Sequence, residues 1–317
     1  LVHERGGEVY ASDLVAGEEQ LAAAEALREE GIEAEAGGHD VERVLSCDLV
    51  VVSPGVGPTT DIRRELREAG ARTIAEIELA FRYLDSRIVA ITGTNGKTTT
   101  TALCGHVLET AGVDVGIGGN IGRPLSELAL EDEQPSWAVV EVSSFQLADI
   151  EDFRPDVGVL LNLAPDHLDR YRNIDSYYSD KRRLFSNASE DCHWVLNADD
   201  EDVLSLVDGT PGTLHHYSTD RRLPEGAYLD ADRRLRLEIE GRSETWASVD
   251  ELRLVGRHNV SNALAAGLAA ALVGCGAEEI GRGLTTFDAL AHRLQPVARD
   301  ARGVLWIDDS KATNVAA

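Results

Sequence analysis

Short apolar runs alternate with amphipathic segments over the first 85 residues. Apolar runs predict strands in EVYAS (8–12) and around 49–52, and 3.6-residue periodicity predicts helices at 18–31, 60–70 and 75–84. Alternating strands and helices are typical of a parallel sheet with helices on its faces. This part of the chain is therefore predicted to be Rossmann-like, with its ligand edge at the turn that follows residue 52.

Longer aliphatic runs follow in RIVAIT (87–92), WAVVEVSS (137–144), DVGVLLNLA (156–164) and HWVLNADD (193–200). Such runs indicate parallel strands that are buried on both faces. The composition changes at residues 213–255, where short segments predict antiparallel hairpins. An alanine-rich helix is then predicted to end at Gly274. We expect a central α/β domain with a parallel sheet and a small antiparallel sheet.

A chain of 317 residues is longer than one hydrophobic core usually supports. We predict three units: an N-terminally truncated unit at 1–86, a central domain at 87–297, and the beginning of a Rossmann-like C-terminal domain at 298–317. The chain contains no methionine and ends within a predicted helix. These features predict a fragment.

The formal net charge of −26 argues against broad binding to nucleic acids or anionic membranes. Four widely spaced cysteines indicate neither a disulfide framework nor a zinc site. No apolar run reaches the roughly 20 residues that cross a bilayer, and no signal pattern is present. We therefore expect a cytoplasmic, monomeric protein that binds anions only at local cationic sites.

The segment ITGTNGKTTT (91–100) joins a predicted buried strand to a predicted helix. Glycines allow backbone N–H groups to surround phosphate oxygens, while Lys97 can reach the terminal phosphates and Thr98 can bind Mg²⁺. The match to GxxxxGK[ST] is imperfect because Ile91 occupies the first glycine position. The context nevertheless favours a nucleoside triphosphate site over an incidental glycine-rich turn.

Polar residues follow two other predicted core strands. Glu141 ends one strand and is followed by Ser143 and Ser144, while Asp166, His167 and Asp169 follow the next. Carboxylate and imidazole groups at this edge are candidate ligands of a nucleotide-bound metal ion. The alternatives are a solvated glutamate at a strand end and a structural histidine.

Lys181 is one of only three lysines, with Lys97 and Lys311, in a chain that has 27 arginines. A helical wheel places it among Tyr177, Tyr178, Leu184 and Phe185. Burial would favour its neutral, nucleophilic form, whereas extension to solvent is the ordinary alternative.

Six ordered motifs carry a family resemblance: GTNGKTT, GGNIG, EVSSFQL, LNLAPDHLDRY, HNVSNALAA and DDSKATN. They resemble the Mur ligases, and among these the ligases that join D-glutamate to UDP-N-acetylmuramoyl-L-alanine. The resemblance covers nearly the whole chain. It implies ATP-dependent formation of an acyl phosphate and its attack by the amine of D-glutamate, in peptidoglycan precursor synthesis.

The resemblance also implies roles for individual residues. ATP would be bound by Gly93, Thr94, Asn95, Gly96, Lys97, Thr98, Thr99, Asn259 and Asn262 (adenine side), Arg293 (γ-phosphate) and Asp309 (ribose). Two Mg²⁺ ions would be held by Thr98, Glu141, His167 and Lys181, with a CO₂-derived carbamate on Lys181. The other substrates would contact Asp13, Ser53, Pro54, Gly55, Val56, Asn120, Ser143, Gln146, Lys311 and Thr313. The groups assigned to catalysis are Lys97, His167, Lys181, Arg293 and Lys311.

Two alternatives stay open at this point. The chain could be a Mur ligase for another amino acid or a folylpolyglutamate synthase, which amino-acid-dependent phosphate release would distinguish. It could instead be a non-catalytic nucleotide switch, which would leave Glu141, His167 and Lys181 without roles. Without its missing ends, the fragment is expected to bind nucleotide but not to complete the ligation.

Overall fold

The computed structural model describes residues 1–239 and 241–312. Over these residues the strands form one nine-stranded sheet and three two-stranded sheets. Within the same ranges, no helix combines the length and hydrophobicity that are required to cross a lipid bilayer.

The strands are β1 (Tyr10–Asp13), β2 (Glu33–Ala36), β3 (Val50–Val52), β4 (Thr73–Ala75), β5 (Arg87–Thr92), β6 (Val115–Gly119), β7 (Trp137–Glu141), β8 (Val157–Leu160), β9 (His193–Asn197), β10 (Thr213–Ser218), β11 (Gly226–Leu229), β12 (Arg234–Ile239), β13 (Arg242–Ser248), β14 (Gln295–Arg299) and β15 (Leu305–Asp308). The helices are α1 (Glu18–Glu29), α2 (Val41–Ser46), α3 (Asp61–Ala69), α4 (Glu76–Phe81), α5 (Lys97–Thr110), α6 (Leu125–Leu128), α7 (Ser144–Leu147), α8 (Ile174–Arg182), α9 (Glu201–Leu206), α10 (Arg257–Val273) and α11 (Ala277–Thr286).

The N-terminal unit contains two parallel strand pairs, β1 with β2 and β3 with β4. This confirms the predicted alternation of strands and helices. The sequence did not indicate β2, whose EAEA sequence buries only Ala34, or the three-residue strand β4. Both strands are too short and too weakly apolar for a period-two pattern to stand out.

The nine-stranded sheet has the order β13-β12-β11-β10-β9-β8-β5-β7-β6. It is parallel from β6 through β11, and β11, β12 and β13 pair antiparallel at one edge. The predicted mixed α/β architecture is thus confirmed, and the antiparallel strands extend the large sheet. The alanine-rich helix α10 ends at Gly274, as predicted, in a left-handed conformation with a φ of 117°.

Helices cover both faces of this sheet. On one face, Val89 and Ile91 of β5 pack in a cluster with Leu103 of α5 and Leu264 of α10. On the other face, Ile88 and Ala90 pack in a cluster that includes residues of α4 and α6. Burial on both faces explains the aliphatic composition of β5, β7 and β8.

The register of β5 with its neighbours sets the edge at which the loops after β5, β7 and β8 meet. Ile91 is the partner of Glu141 on β7 and of Val159 on β8. Because the strands are parallel, the chain leaves all three at the same edge of the sheet. The loops that begin at residues 93, 142 and 161 therefore lie side by side.

A buried carboxylate connects α4 to the segment after α7. Glu78 is completely buried, and its Oε2 accepts hydrogen bonds from the backbone N–H groups of residues 151, 152 and 153 at 2.8–3.0 Å. Arg82 Nη2 contacts Glu78, Glu151 and Asp152. A guanidinium group therefore already bridges this cluster of three carboxylates and offsets part of its negative charge.

We predict that Glu78→Gln destabilises the protein by about 3–5 kcal/mol, the usual range for breaking a buried charge pair. The amide would place an N–H group toward either the backbone donors or Arg82. Urea unfolding with an unchanged m-value measures the loss. Glu68→Gln, at an exposed position of α3, is the matched control; an equal effect of the two substitutions would contradict the prediction.

Candidate active site

A glycine-containing loop joins β5 to α5 at the common edge of the sheet. Gly93 and Gly96 have φ values of 151° and 83°, which L-residues with a Cβ rarely adopt. A Cβ on Gly96 would lie only 2.4 Å from Asn262 Oδ1 of α10. The predicted strand, loop and helix are present, and the loop is packed tightly between neighbouring elements.

Helix α5 begins at Lys97, directly after the loop. Its first-turn N–H groups, on Lys97, Thr98 and Thr99, have no acceptor within the helix. They lie at the positive end of the helix dipole. The loop and helix together form a site suited to phosphate oxygens.

Two lysine side chains meet at one carbonyl oxygen of this loop. Lys97 Nζ donates to Gly93 O at 3.1 Å and to Thr94 O at 2.8 Å, while Lys181 Nζ donates to Gly93 O at 2.7 Å. Burial lowers the pKa of Lys97 below its ordinary value. Burial, reinforced by the nearby Lys97 ammonium, lowers the pKa of Lys181 much further.

Lys181 belongs to the core, which decides between the two alternatives that its position on the helical wheel left open. Its side chain is 1% exposed, which rules out extension to solvent. Its Nζ lies 4.8 Å from the centre of the Tyr177 ring, and Leu184 and Phe185 are buried beside it in sequence. The adjacent Arg182 is exposed.

Glu141 provides a buried carboxylate with one unused oxygen. Its Oε1 accepts a hydrogen bond from Asn120 Nδ2 at 2.9 Å, whereas Oε2 is buried without a partner among the described residues. An unpaired buried carboxylate oxygen is costly unless a cation binds it. A free carboxylate oxygen is a ligand that a hard divalent cation such as Mg²⁺ prefers.

His167 lies in the loop after β8 in a left-handed conformation with a φ of 54°. Its ring is 5.3 Å from that of Phe145 and 5.9 Å from that of Tyr177. Burial lowers its pKa, and a neutral imidazole has a lone pair available for a metal ion. Asp166 accepts the His167 N–H, whereas Asp169 is exposed beside Arg170.

Comparisons with known proteins agree with this geometry. Residues 91–270 match the Mur ligase middle domain, and residues 1–62 match the MurD N-terminal domain. The chain belongs to the Mur ligase family. UDP-N-acetylmuramoylalanine–D-glutamate ligases from Acidobacterium capsulatum and Salinibacter ruber are each 41% identical to it. Both alignments cover 99% of this Mur ligase, and they cover 68% and 70% of the two relatives.

Solved Mur ligases share the fold at lower identity. A UDP-N-acetylmuramate:L-alanyl-gamma-D-glutamyl-meso-diaminopimelate ligase from Neisseria meningitides matches with a TM-score of 0.62 at 22% identity, over 92% of this chain and 93% of that one. UDP-N-acetylmuramate–alanine ligase from Thermotoga maritima matches with a TM-score of 0.56 at 22% identity, over 97% and 69% of the two chains.

The nucleotide-side residues predicted for this Mur ligase meet around α5 and α10. Arg293 Nη2 donates to Thr98 Oγ1 at 3.1 Å, and Asn262 Nδ2 donates to Asn259 Oδ1 at 3.1 Å. The C-terminal segment folds back onto the Arg293 turn: Asp309 Oδ1 accepts from Leu294 N at 3.1 Å, and Lys311 N donates to His292 O at 3.1 Å.

The substrate-side predictions for this Mur ligase lie in several places. Ser143 and Gln146 form a buried capping box at the start of α7, which uses most of their polar atoms and leaves Gln146 Nε2 without a partner among the described residues. Asp13 lies at the end of β1, where its carboxylate accepts from Val15 N at 2.8 Å. Thr313 lies outside the described residues.

The turn formed by Ser53, Pro54, Gly55 and Val56 follows β3, and Val56 N donates to Ser53 O at 3.0 Å. A Cβ on the adjacent Gly57 would lie 3.7 Å from Arg170 Cδ. The guanidinium of Arg170 is in turn 5.5 Å from the Phe145 ring. The turn after β3 therefore reaches the loop that carries His167.

Sequence reasoning assigned no role to Asn162 or to the hydroxyl of Tyr177. Asn162 makes three hydrogen bonds with the phosphate loop, and Tyr177 OH lies 3.2 Å from Thr94 Oγ1. The one available signal was the position of Asn162, the polar residue that ends the apolar run of β8.

We predict that Gly96→Ala weakens ADP binding at least about tenfold, because its Cβ would both strain a positive φ and collide with Asn262. Isothermal titration calorimetry measures the affinity. Gly112→Ala is the matched control, since Gly112 has a φ of 79° and open space at the Cβ position. Equal affinities of the two variants would refute the steric argument.

Proposed function

We propose that this chain is an ATP-dependent ligase that joins D-glutamate to UDP-N-acetylmuramoyl-L-alanine in peptidoglycan precursor synthesis. The observation that carries the proposal is the convergence of Lys97, Glu141, His167 and Lys181 at one edge of the sheet in a Mur ligase chain. Relatives that are 38–41% identical over 99% of the chain are named for this reaction.

In the proposed reaction, a carboxylate oxygen of the muramoyl-L-alanine attacks the γ-phosphorus of ATP. The bond to the β–γ bridging oxygen breaks, and ADP leaves. The amine of D-glutamate then attacks the acyl carbon, loses a proton and displaces phosphate to form the amide. Both steps demand positioning and neutralisation of negative charge.

Lys97 and the first-turn N–H groups of α5 would neutralise the β- and γ-phosphates, and Arg293 lies beside them at Thr98. Thr98, Glu141 and His167 would hold two Mg²⁺ ions, which neutralise phosphate oxygens when they are bound. In a chain of net charge −26, only such a local concentration of cations can admit two polyanionic substrates.

The remaining predicted residues would contact the nucleoside of ATP, D-glutamate or the UDP-linked substrate. Asn259 and Asn262 would contact adenine, and Asp309 would contact the ribose. Lys311 and Thr313 would face D-glutamate. The UDP-linked substrate would contact Asp13, Ser53, Pro54, Gly55, Val56, Asn120, Ser143 and Gln146.

We further propose that Lys181 reacts with CO₂. Its neutral amine would attack the carbon of CO₂, forming an N–C bond and releasing a proton, so that an anionic carbamate replaces the amine. The two lysine amines now share Gly93 O, and the negative charge of the carbamate would be attracted to the Lys97 ammonium. The carbamate would also support the metal ions.

We propose that the enzyme acts as a cytoplasmic monomer.

Phosphate release in the presence of ATP and UDP-N-acetylmuramoyl-L-alanine tests the ligase assignment. We expect D-glutamate, and not L-alanine, meso-diaminopimelate or L-glutamate, to stimulate release by the chain extended to the full length of the Acidobacterium relative. Binding of ATP without amino-acid-dependent release in the extended protein would reject the ligase and favour a nucleotide switch.

Lys97→Ala is expected to lower the rate of acyl-phosphate formation by at least about 10²-fold, the usual effect of removing one electrostatic stabiliser. Hydroxylamine trapping of the acyl phosphate in the extended protein measures the rate. Arg282→Ala, on α11, is the control for loss of a positive charge. Normal turnover of the lysine variant would refute the role of Lys97.

Equilibration with ¹³CO₂ tests the carbamate. We expect a carbamate ¹³C resonance in the wild-type protein that is absent from Lys181→Arg, because a guanidinium cannot supply a neutral amine at ordinary pH. Lys311→Arg is the matched control and should retain the resonance. Identical spectra of wild type and Lys181→Arg would exclude carbamylation at this residue.

A further inference from the structure

We infer that Asn162 is a positioning residue that holds the phosphate loop in its nucleotide-binding conformation. This role rests on the proposed binding of ATP to that loop. Asn162 directly follows the buried strand β8 and the core residue Leu161. It is separated from the loop by 67 positions in the sequence.

The side-chain amide of Asn162 pairs with the backbone of one loop residue. Asn95 N donates to Asn162 Oδ1 at 2.8 Å, and Asn162 Nδ2 donates to Asn95 O at 2.9 Å. The backbone of the same residue adds a third bond, because Thr94 N donates to Asn162 O at 2.9 Å. The loop is thus attached to β8 much as one strand is attached to another.

Neighbouring contacts continue this attachment. Ala164 N donates to Thr94 Oγ1 at 3.0 Å, and Thr94 Oγ1 lies 3.1 Å from Ala164 O. A Cβ on Gly93 would lie 3.0 Å from Leu161 Cβ and 3.3 Å from Asn162 N. The segment after β8 therefore forms one wall of the loop, and Asn162 contributes a side-chain amide to this wall.

The bonding pattern also determines which loop groups face a phosphate. Asn162 binds both the N–H and the C=O of Asn95. The two peptide groups on either side of residue 95 are therefore directed toward β8. The N–H groups left for an anion are those at the start of α5, next to Lys97. Without Asn162, the peptide at residue 95 could rotate, and the approach of the phosphates to these N–H groups would change.

An asparagine is chemically suited to this position. A donor and an acceptor are needed on one planar group, at the spacing of a backbone N–H and C=O. Aspartate would keep the acceptor, lose the donor and place a negative charge beside the bound phosphates. Alanine would leave both groups of Asn95 without these partners.

Calorimetric titration with ADP and Mg²⁺ tests the inference on the protein as it exists. We expect Asn162→Ala to raise the Kd at least about tenfold, the effect of losing two hydrogen bonds of ordinary net strength. Asn162→Asp should raise it at least as much. The matched control is Asn197→Ala: Asn197 ends β9 and donates to Leu161 O at 3.0 Å, one residue before Asn162, on the neighbouring strand.

Hydrogen exchange of a peptide covering residues 93–98 supplies a readout that is independent of activity. In the absence of nucleotide, exchange at Asn95 should accelerate in Asn162→Ala and stay unchanged in Asn197→Ala. In the extended, active protein, the KM for ATP should rise while the KM values for the other two substrates stay within about twofold.

Three results would overturn the inference. These are an unchanged Kd with unchanged exchange, equal effects of the Asn162 and Asn197 variants, or a parallel rise in all three KM values, which would indicate general destabilisation. If Asn162→Ala does not fold, the isosteric Asn162→Asp decides by the same measurements. Failure of the wild-type protein to bind ADP would instead reject the proposed function, so the two failures are distinguishable.

Discussion

Backbone hydrogen bonds between β5 and its neighbours β7 and β8 fix the relative positions of the segments that carry Lys97, Glu141 and His167. The register aligns Ile91 with Glu141 and Val159, so the phosphate loop, the Glu141 carboxylate and the His167 loop leave the sheet together. A shift of any of these groups by one residue would move the side chains of its strand to the opposite face of the sheet. Each of these strands is buried on both faces, so the register is strongly specified. The sheet therefore acts as the rigid support for the site.

The chemistry depends on charges that the core itself would disfavour. Lys181 and Glu141 are both almost completely buried, and a charge in such a position is stable only beside a compensating group. Lys181 uses the Gly93 carbonyl and the Tyr177 ring, while Glu141 uses one oxygen for Asn120 and keeps the other unpaired. Leaving Lys181 or Glu141 without a compensating group is therefore unfavourable. This cost favours the binding of a ligand to each residue.

Local patterns predicted the strand, loop and helix at residues 87–110, because these depend on neighbours within a few residues. For Lys181 the helical wheel predicted the apolar neighbours but left burial and extension to solvent open. The register of β5 against β7 and β8 was predictable only as a common edge, not as contacts. Asn162 was missed because its partner Asn95 is distant in sequence. Glu78 was unremarkable for a similar reason: in sequence it is one more acid on an amphipathic helix, and its backbone partners follow more than 70 positions later.

The burial of Glu78 affects where the chain can be divided for recombinant expression of its central unit. Helix α4 precedes the predicted boundary at residue 87, yet Ile77 and Ala80 belong to the same apolar cluster as Ile88 and Ala90 of β5. A recombinant central unit begun at residue 87 would expose that cluster to water and leave three amides at residues 151–153 without their acceptor. Beginning it upstream of α4 would keep α4 packed on the face of the sheet that carries Ile88 and Ala90.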